Sequence, residues 1–100
     1  MSVRKTILVT GGGGSIGNQL IPYLAKFAEV VSLDLKEVEA AHRSIVGSVT
    51  DAELVLEAVD GVDAVLHMAV WNTDYENFTP QVEVNITGTV NVLEACIAKS

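Results

Sequence analysis

The sequence has few of the features that build disulfide-rich, metal-clustered or membrane-spanning proteins. Its single cysteine, Cys96, excludes an intrachain disulfide framework and a multi-cysteine metal site. No apolar run approaches the roughly 20 residues of a membrane span. Arg4 and Lys5 precede only a short apolar stretch, unlike the longer apolar run of a signal peptide. We therefore expect a cytoplasmic protein with no membrane partner.

Positive charge is also scarce. Six Lys and Arg stand against thirteen Asp and Glu, which gives a net charge of −7. Lys99 is the only basic residue in the second half of the sequence. Such a chain offers no basic patch to a nucleic-acid backbone, so we expect no nucleic-acid partner. The 49% hydrophobic content over 100 residues indicates one small domain with a buried core.

Half of the glycines lie in one stretch, residues 11–14, directly after the apolar run of residues 7–10. Gly11, Gly14 and Gly17 have the spacing of a dinucleotide-binding turn, with one extra residue between the first two. We expect Gly11 to make the tight turn, Gly14 to admit a pyrophosphate and Gly17 to pack the helix on the strand. The free amides of the following helix favour phosphate. The alternative is a glycine-rich surface loop without a ligand.

A second apolar run, residues 30–33, ends in Asp34, at the distance from the glycines where dinucleotide sites place an acidic residue. That carboxylate accepts hydrogen bonds from the ribose 2′-hydroxyl and repels a 2′-phosphate. The two features together predict NAD, with NADP less favoured. Taken alone, an acidic residue at the end of a strand is common.

The pattern along the chain alternates strands and helices. Strands are predicted at residues 4–10, 29–34, 44–47 and 64–69, and helices at 15–28, after an N-cap at Asp51, and at 81–99. The linker between the second and third strands is too short for a crossover helix, so a loop is expected there. Pro22 should distort the first helix. This order predicts an α/β fold, a doubly wound parallel sheet with strand order 3-2-1-4.

Each predicted helix has an apolar stripe expected to face the core. The stripes are Ile16, Leu20, Leu24 and Phe27 in the first helix; Leu54, Val55 or Leu56, and Val59 in the second; and Val82, Ile86, Val90, Leu93 and Ile97 in the last.

Three motifs, in this order, resemble the extended short-chain dehydrogenases/reductases, the NAD-dependent epimerase/dehydratase family. They are T-G-G-G-G-S-I-G at residues 10–17, V-L-H-M-A at 65–69 and V-N-I-T-G-T-V-N-V-L-E-A at 84–95. The resemblance implies a Rossmann-type domain. Residues 1–100 would be its N-terminal part, with an incomplete sheet and without the catalytic and substrate region.

The resemblance also implies cofactor contacts, residue by residue. Pyrophosphate would lie against Gly11, Gly14, Ser15, Ile16 and Gly17, the adenosine ribose against Asp34 and Leu35, and the adenine near Ser48 and Val49. Met68, Ala69 and Val70 would lie under the cofactor, and Asn85 near the nicotinamide end. The family usually has Asp at the position of Ser48, which weakens the expected adenine contact. For Asn85, a role in tying a loop to a helix is the equal alternative.

Two further kinds of residue invite a functional interpretation. His67 lies in an apolar strand pattern and is interpreted as a hydrogen-bonded core residue, not a catalytic one. Trp71 and Tyr75 either line a substrate pocket or serve packing. The family's catalytic Ser/Thr and its Tyr-x-x-x-Lys pair have no match in this sequence, so no catalytic residue is assigned.

The expected function is therefore the NAD-binding portion of an oxidoreductase or sugar-nucleotide epimerase/dehydratase. It would act by hydride transfer on a sugar or sugar-acid hydroxyl, and the complete protein is expected to be a homodimer with a small carbohydrate-derived substrate. The chain alone is expected to be inactive. The alternatives are a non-catalytic dinucleotide-binding sensor or a protein–protein interaction module.

Overall fold

Four parallel strands form one sheet in the order β3-β2-β1-β4. The computed structural model describes residues 4–71 and 76–100. The strands are β1 (Thr6–Thr10), β2 (Glu29–Asp34), β3 (Arg43–Val46) and β4 (Ala64–His67). In register, Leu8 of β1 lies between Val31 of β2 and Val65 of β4. The predicted fold class and strand order are confirmed, although β4 ends at His67 and not at Ala69.

The helices are α1 (Ser15–Leu24), α2 (Ala52–Val59), α3 (Phe78–Val82) and α4 (Gly88–Lys99), with a π-helical turn, Glu83–Thr87, joining the last two. Asp51 caps α2 as predicted, because its Oδ1 accepts a hydrogen bond from the Leu54 amide at 3.2 Å. Among the residues that the structure describes, no helix is both long enough and apolar enough to cross a membrane.

The core has one cluster on each face of the sheet, because alternate strand residues point to opposite sides. On one face, Leu8, Val31 and Leu33 pack with residues of α2 and α4. On the other face, Val9 and Val30 pack with Ile21 and Leu24 of α1. Helices therefore cover both faces, as a doubly wound sheet requires.

A loop without a helix joins β2 to β3, as the sequence predicts. Side chains hold it in place: His42 Nδ1 accepts a hydrogen bond from the Val30 amide at 2.9 Å, and Ser44 Oγ accepts one from the Val38 amide at 2.9 Å. Val38 is buried against the α1 side of the sheet. The loop therefore covers part of the sheet where a crossover helix would normally lie.

The predicted stripe of α1 is wrong at its two ends. The helix ends at Leu24, and Ile16 and Phe27 are 62% and 56% exposed. The buried face contains Gly17, Ile21 and Leu24. Gly17 sets this face, because it has no side chain and lies directly against the glycine turn. Pro22 is inside the helix, two residues before its end.

The buried face of α2 also differs from its predicted stripe. Val55, Ala58 and Val59 are buried, whereas Leu56 is 38% exposed. Leu54 is only partly buried, although it packs against the core cluster. The helix ends at Val59, and Gly61 follows with a positive φ of 76°. Gly61 therefore lies just beyond the C-terminal end of the helix.

The predicted core face of the last helix is wrong. Its large apolar residues lie on the outer side, with 44–75% of the side chains exposed: Val82, Ile86, Val90, Leu93 and Ile97. The buried face carries smaller residues, Gly88, Val92 and Ala95. A Cβ at Gly88 would lie 2.5 Å from a methyl carbon of Val49, so the close approach depends on this glycine. The spacing of the large residues therefore marks the face turned away from the sheet.

Candidate functional site

A cavity of about 310 Å³ lies at the carboxyl ends of the strands. Twelve of the thirteen predicted site residues line it: Gly11, Gly14, Ser15, Ile16, Gly17, Asp34, Leu35, Ser48, Val49, Met68, Ala69 and Val70. Leu33, Gly47, Trp71 and Val84 complete the lining. Parallel α/β sheets bind ligands at this edge, so the topology places the predicted residues where a ligand site is expected.

The glycine turn is fixed by its contacts with the two neighbouring strands. Gly11 has a φ of +73°, and its amide donates a hydrogen bond to the Leu33 carbonyl at 2.8 Å. A Cβ at Gly11 would lie 2.8 Å from backbone atoms of Met68 and Ala69. The turn therefore passes in direct contact with the segment that follows β4, and only glycine fits at this position.

Gly14 and Gly17 differ in what surrounds them. A Cβ at Gly17 would lie 2.7 Å from the carbonyl oxygens of Gly11 and Gly12, so this glycine lets α1 start against the turn itself. The nearest neighbours of Gly17 therefore lie in the turn that follows β1. A Cβ at Gly14 would meet only the Gly11 oxygen, at 3.3 Å. Gly14 is thus open toward the cavity.

The N-terminus of α1 lines this cavity through residues 14–17. Gly14 is the N-cap residue, and neither a side-chain cap nor an acidic residue occupies the first turn. Ser15 and Ile16 are exposed beside it. Because first-turn amides lack intrahelical acceptors and lie at the positive end of the helix dipole, this arrangement favours an anion such as phosphate.

The carboxylate of Asp34 joins the end of β2 to the glycine turn. Its Oδ2 accepts a hydrogen bond from the Gly13 amide at 2.9 Å, and its Oδ1 accepts one from the Lys36 amide at 3.0 Å. Each carboxylate oxygen has a second lone pair, so the group can still accept hydrogen bonds from ligand hydroxyls. The bond to Gly13 was not predicted, because nothing in the sequence distinguishes it from an ordinary turn amide.

At the opposite end of the cavity, Thr10 and Asn85 hold the segment after β4. Thr10 Oγ1 accepts hydrogen bonds from the amides of Met68 at 2.9 Å and Ala69 at 3.2 Å. Asn85 Oδ1 accepts one from the Trp71 amide at 2.8 Å, and its Nδ2 donates to the Trp71 carbonyl at 3.1 Å. Asn85 is not part of the cavity lining, and this geometry is that of the alternative role, tying a loop to a helix. Its nicotinamide contact stays a prediction.

His67 lies behind the cavity wall and is bonded on both ring nitrogens. Nδ1 is 2.6 Å from Thr10 Oγ1, and Nε2 is 3.0 Å from Thr89 Oγ1. Burial lowers its pKa below the usual 6.5. His67 does not line the cavity, which agrees with its interpretation as a hydrogen-bonded core residue. Tyr75 lies outside the described residues.

The described part of the chain contains no cluster of ligand side chains suited to a metal ion. Two buried polar atoms, Ser32 Oγ and Trp71 Nε1, have no hydrogen-bond partner among the described residues. Trp71 and Val84 add apolar surface to the β4 end of the cavity. Val84 could not be found from the sequence, since it precedes Asn85 in a turn whose π geometry no residue pattern predicts.

Known proteins are similar to this chain in both sequence and fold. The model of the 3-beta hydroxysteroid dehydrogenase/isomerase family matches residues 8–100. L-arabinose 1-dehydrogenase (NAD(P)(+)) of Haloferax volcanii is 35% identical over 92 residues, which cover 92% of this chain and 36% of that protein. dTDP-glucose 4,6-dehydratase of Mycobacterium tuberculosis is 35% identical over 105 residues, covering 89% and 32% of the two chains.

Among solved structures, uronate dehydrogenase from Agrobacterium tumefaciens superposes with a TM-score of 0.84 at 29% identity, over 95% of this chain and 37% of that one. A mutant of that enzyme was solved in complex with NAD. The chain spans about a third of the length of these relatives. It belongs to the 3-beta hydroxysteroid dehydrogenase/isomerase family, and its sheet and motifs are those of the extended short-chain dehydrogenases/reductases.

Proposed function

We propose that the chain is the NAD-binding portion of an oxidoreductase or sugar-nucleotide epimerase/dehydratase that transfers hydride at a sugar or sugar-acid hydroxyl. The observation that carries this proposal is the cavity at the strand ends. It combines the N-terminus of α1, the Asp34 carboxylate and the segment after β4 in one wall. Relatives that act on arabinose, dTDP-glucose and uronate support the carbohydrate class of the substrate.

We propose that NAD lies in the cavity in one direction. The pyrophosphate would lie on the amides of the first turn of α1, and a ribose hydroxyl would donate a hydrogen bond to Asp34. Since Asp34 and Val49 lie on the β2–β3 side and Met68 lies beyond β1, on the β4 side, the nicotinamide half would extend toward β4. When bound, NAD supplies the hydride chemistry at its nicotinamide ring.

The adenine contact differs from the family pattern. The Ser48 hydroxyl is already within 2.8 Å of Thr50 Oγ1 and accepts a hydrogen bond from the Thr50 amide at 3.1 Å. Val49 is 4% exposed, and its carbonyl accepts a hydrogen bond from Asn91 at 2.9 Å. We propose that adenine is held by apolar contact with Leu35 and by the main chain of Val49, with no side-chain carboxylate.

The Asp34 carboxylate supports a preference for NAD over NADP. A 2′-phosphate would bring a second negative group against this carboxylate, and two adjacent negative charges repel each other. Lys36 acts in the opposite direction, because its side chain lies over the turn, with Cε 2.6 Å from where a Gly13 Cβ would be. A lysine ammonium is a single point charge and lacks the planar fork with which Arg holds phosphate.

Calorimetric titration of the chain with NAD and with NADP tests the proposal. NAD is expected to bind more tightly, and Gly14→Val should weaken NAD by at least about tenfold, or 1.4 kcal/mol. The added side chain would enter the pyrophosphate position. A Cβ at Gly14 would lie 3.3 Å from the Gly11 carbonyl oxygen, so we expect the turn to adjust by a few tenths of an ångström and the fold to survive. Ala52→Val, at an exposed position at the start of α2, is the matched control and should bind NAD normally.

Two results would contradict the proposal. If Gly14→Val binds NAD as well as the parent does, the phosphate does not lie on this turn. If NADP binds as tightly as NAD or more tightly, the role of Asp34 is wrong. Circular dichroism of Gly14→Val must accompany the titration, so that loss of binding is separated from loss of structure.

The catalytic and assembly steps are proposed for the complete protein. In the family that this sequence resembles, a Tyr acts as general acid/base and a Lys lowers its pKa, and neither is matched in this sequence. We propose that the chain alone has no turnover.

We also propose that the complete protein is a cytoplasmic homodimer. The apolar outer face of α4, with Leu93 59% and Ile97 75% exposed, supports an assembly that covers this helix.

A further inference from the structure

A continuous chain of hydrogen bonds runs from the glycine-turn end of β1 to the π-helical turn. It begins at Thr10 Oγ1, which accepts hydrogen bonds from the amides of Met68 and Ala69. Thr10 is fully buried. Because both backbone groups are donors, the hydroxyl hydrogen of Thr10 is free to be donated to His67 Nδ1, 2.6 Å away.

This donation fixes the tautomer of His67. If Nδ1 accepts a hydrogen bond, the neutral ring carries its proton on Nε2, which then donates to Thr89 Oγ1 at 3.0 Å. The Thr89 hydroxyl in turn donates to the Asn85 carbonyl at 2.8 Å. In this series of hydrogen bonds every donor meets one acceptor. The network is therefore fully satisfied only when His67 is neutral and carries its proton on Nε2.

The far end of the network reaches the cavity wall. Asn85 lies in the π-helical turn, and its amide group binds both the N–H and the C=O of Trp71. Trp71 lines the cavity beside Met68, Ala69 and Val70, whereas His67 does not. Any movement of the Thr89–Asn85 segment would therefore be passed to Trp71 through two hydrogen bonds.

We propose that His67 is a positioning residue for the cofactor: it couples the glycine turn to the π-helical turn and thereby holds Trp71 as the wall of the nicotinamide end of the cavity. The cofactor part of this proposal rests on the proposed function. The network itself does not, since it is complete in the chain without a ligand. Apart from Thr10 at the end of β1, the residues of this network lie on the β4 side of the cavity, so its loss should act on that half.

The groups facing His67 make its protonation disruptive. Its described partners are the hydroxyls of Thr10 on β1 and Thr89 on α4, and neither ionises in this pH range. β1 has no ionisable side chain, and β4 has none besides His67. The neighbouring helical segments carry four titratable groups, Glu83, Glu94, Cys96 and Lys99. No described hydrogen bond or ion pair links any of them to the ring. Lys99 forms an ion pair with Asp60 instead, at 3.6 Å. A proton on Nδ1 would therefore displace the Thr10 hydrogen without gaining a charged partner.

Paired substitutions at Thr89 test the coupling. Thr89→Val keeps the shape and removes the hydroxyl, whereas Thr89→Ser keeps the hydroxyl; Thr87→Val changes an exposed threonine of the same segment and is the control. Thr89→Val should weaken NAD about tenfold and leave ADP, which lacks the nicotinamide half, within twofold. Thr89→Ser and Thr87→Val should bind both ligands as the parent does. Equal weakening of NAD and ADP by Thr89→Val would overturn the proposal.

Trp71 gives a ligand-free readout, because it is the only tryptophan of the sequence. Thr89→Val should raise acrylamide quenching of its fluorescence at least twofold, with a Trp71→Phe blank, and acidification of the parent should do the same. In His67→Gln the acid-induced change should disappear. Unchanged quenching in Thr89→Val, or an identical acid response in His67→Gln, would overturn the coupling.

The ¹⁵N shifts of the histidine rings decide the tautomer in the parent protein, and a variant is needed only to assign the signals. The signals of His67 are assigned by their loss in His67→Gln. An Nε2-protonated ring above pH 6.5 is expected, and an Nδ1-protonated ring would refute the network. If the parent fails to bind NAD, the proposed function falls, while the tautomer and quenching results still decide whether the network exists.

Discussion

Replacing Gly11 by alanine tests the close contact between the glycine turn and the segment after β4. Gly11 and Gly61 both have positive φ, +73° and +76°, so alanine is strained at either position. They differ in their surroundings. A Cβ at Gly11 would lie 2.8 Å from the Ala69 Cα and N and from the Met68 carbonyl carbon, whereas at Gly61 nothing lies within 4 Å. Gly61→Ala is therefore the matched control for strain without overlap.

The two variants should differ clearly in the free energy of unfolding. The left-handed conformation costs an alanine about 1–2 kcal/mol, and the reduced freedom of the unfolded chain offsets about 0.4–1 kcal/mol of it. Gly61→Ala should therefore cost about 0–1.6 kcal/mol. At Gly11 the overlap with backbone adds about 1–3 kcal/mol, the usual cost of overpacking. Gly11→Ala should then cost about 1–3 kcal/mol more than Gly61→Ala.

Urea denaturation followed by circular dichroism measures both costs. The midpoint should fall further for Gly11→Ala than for Gly61→Ala, with equal m values, because the surface exposed on unfolding is the same. Equal midpoints for the two variants would refute the reasoning, since they would show that the turn does not lie against Met68 and Ala69. Loss of NAD affinity in Gly61→Ala would likewise contradict the placement of the site.

Three further predictions follow from the same contacts. Asp34→Ala removes the acceptor of the Gly13 amide, so the free energy of unfolding without cofactor should fall by about 1–3 kcal/mol. The preference for NAD over NADP should also shrink. An unchanged preference would contradict the role of Asp34 at the ribose. Burial lowers the pKa of His67 below 6.5. On acidification the unfolded chain therefore binds a proton at this residue before the folded chain does. The stability that His67 contributes is complete above pH 6.5 and is lost as the pH falls below that value. Denaturation of the parent and of His67→Gln at pH 7.5 and 5.5 should show that the free energy of unfolding falls more in the parent. Equal losses in the two proteins would contradict this role of His67. The isolated chain should self-associate through the outer edge of β4, which pairs only with β1 among the described strands, and it should show no dehydrogenase or epimerase turnover. A stable monomer in sedimentation, or measurable turnover, overturns this expectation.

The sheet and the turn could be predicted because their signals are local. The predicted bounds of β2, residues 29–34, agree with the structure, and Asp51 caps α2 as expected. The glycine spacing and the position of Asp34 also follow from chain geometry, since parallel strands bring their carboxyl ends to one edge. The cavity gathers twelve predicted residues for this reason. Whether each contacts NAD stays a prediction.

The faces of the helices could not be predicted because apolar residues lie on more than one side. In α4 the large residues Leu93 and Ile97 are exposed, and the buried Gly88 and Ala95 are too small to stand out in a pattern. Close packing against Val49 requires glycine at position 88, and that contact joins positions far apart in the sequence. The π-helical turn was missed for a similar reason. The hydrogen bond from the Trp71 amide to its Asn85, and the one between His67 and Thr89 of α4, arise only from the tertiary fold.

Amide chemical shifts during a titration with NAD test the central claim most directly. The ¹H–¹⁵N spectrum of the chain reports every backbone amide at once, including those of the glycine turn. The account predicts saturable shifts at Gly11, Gly14 and Gly17 together with Asp34 and Met68, and little change at the exposed Gly61 on the far side of α2. No shifts at saturating NAD, or shifts concentrated away from the carboxyl ends of the strands, would contradict it.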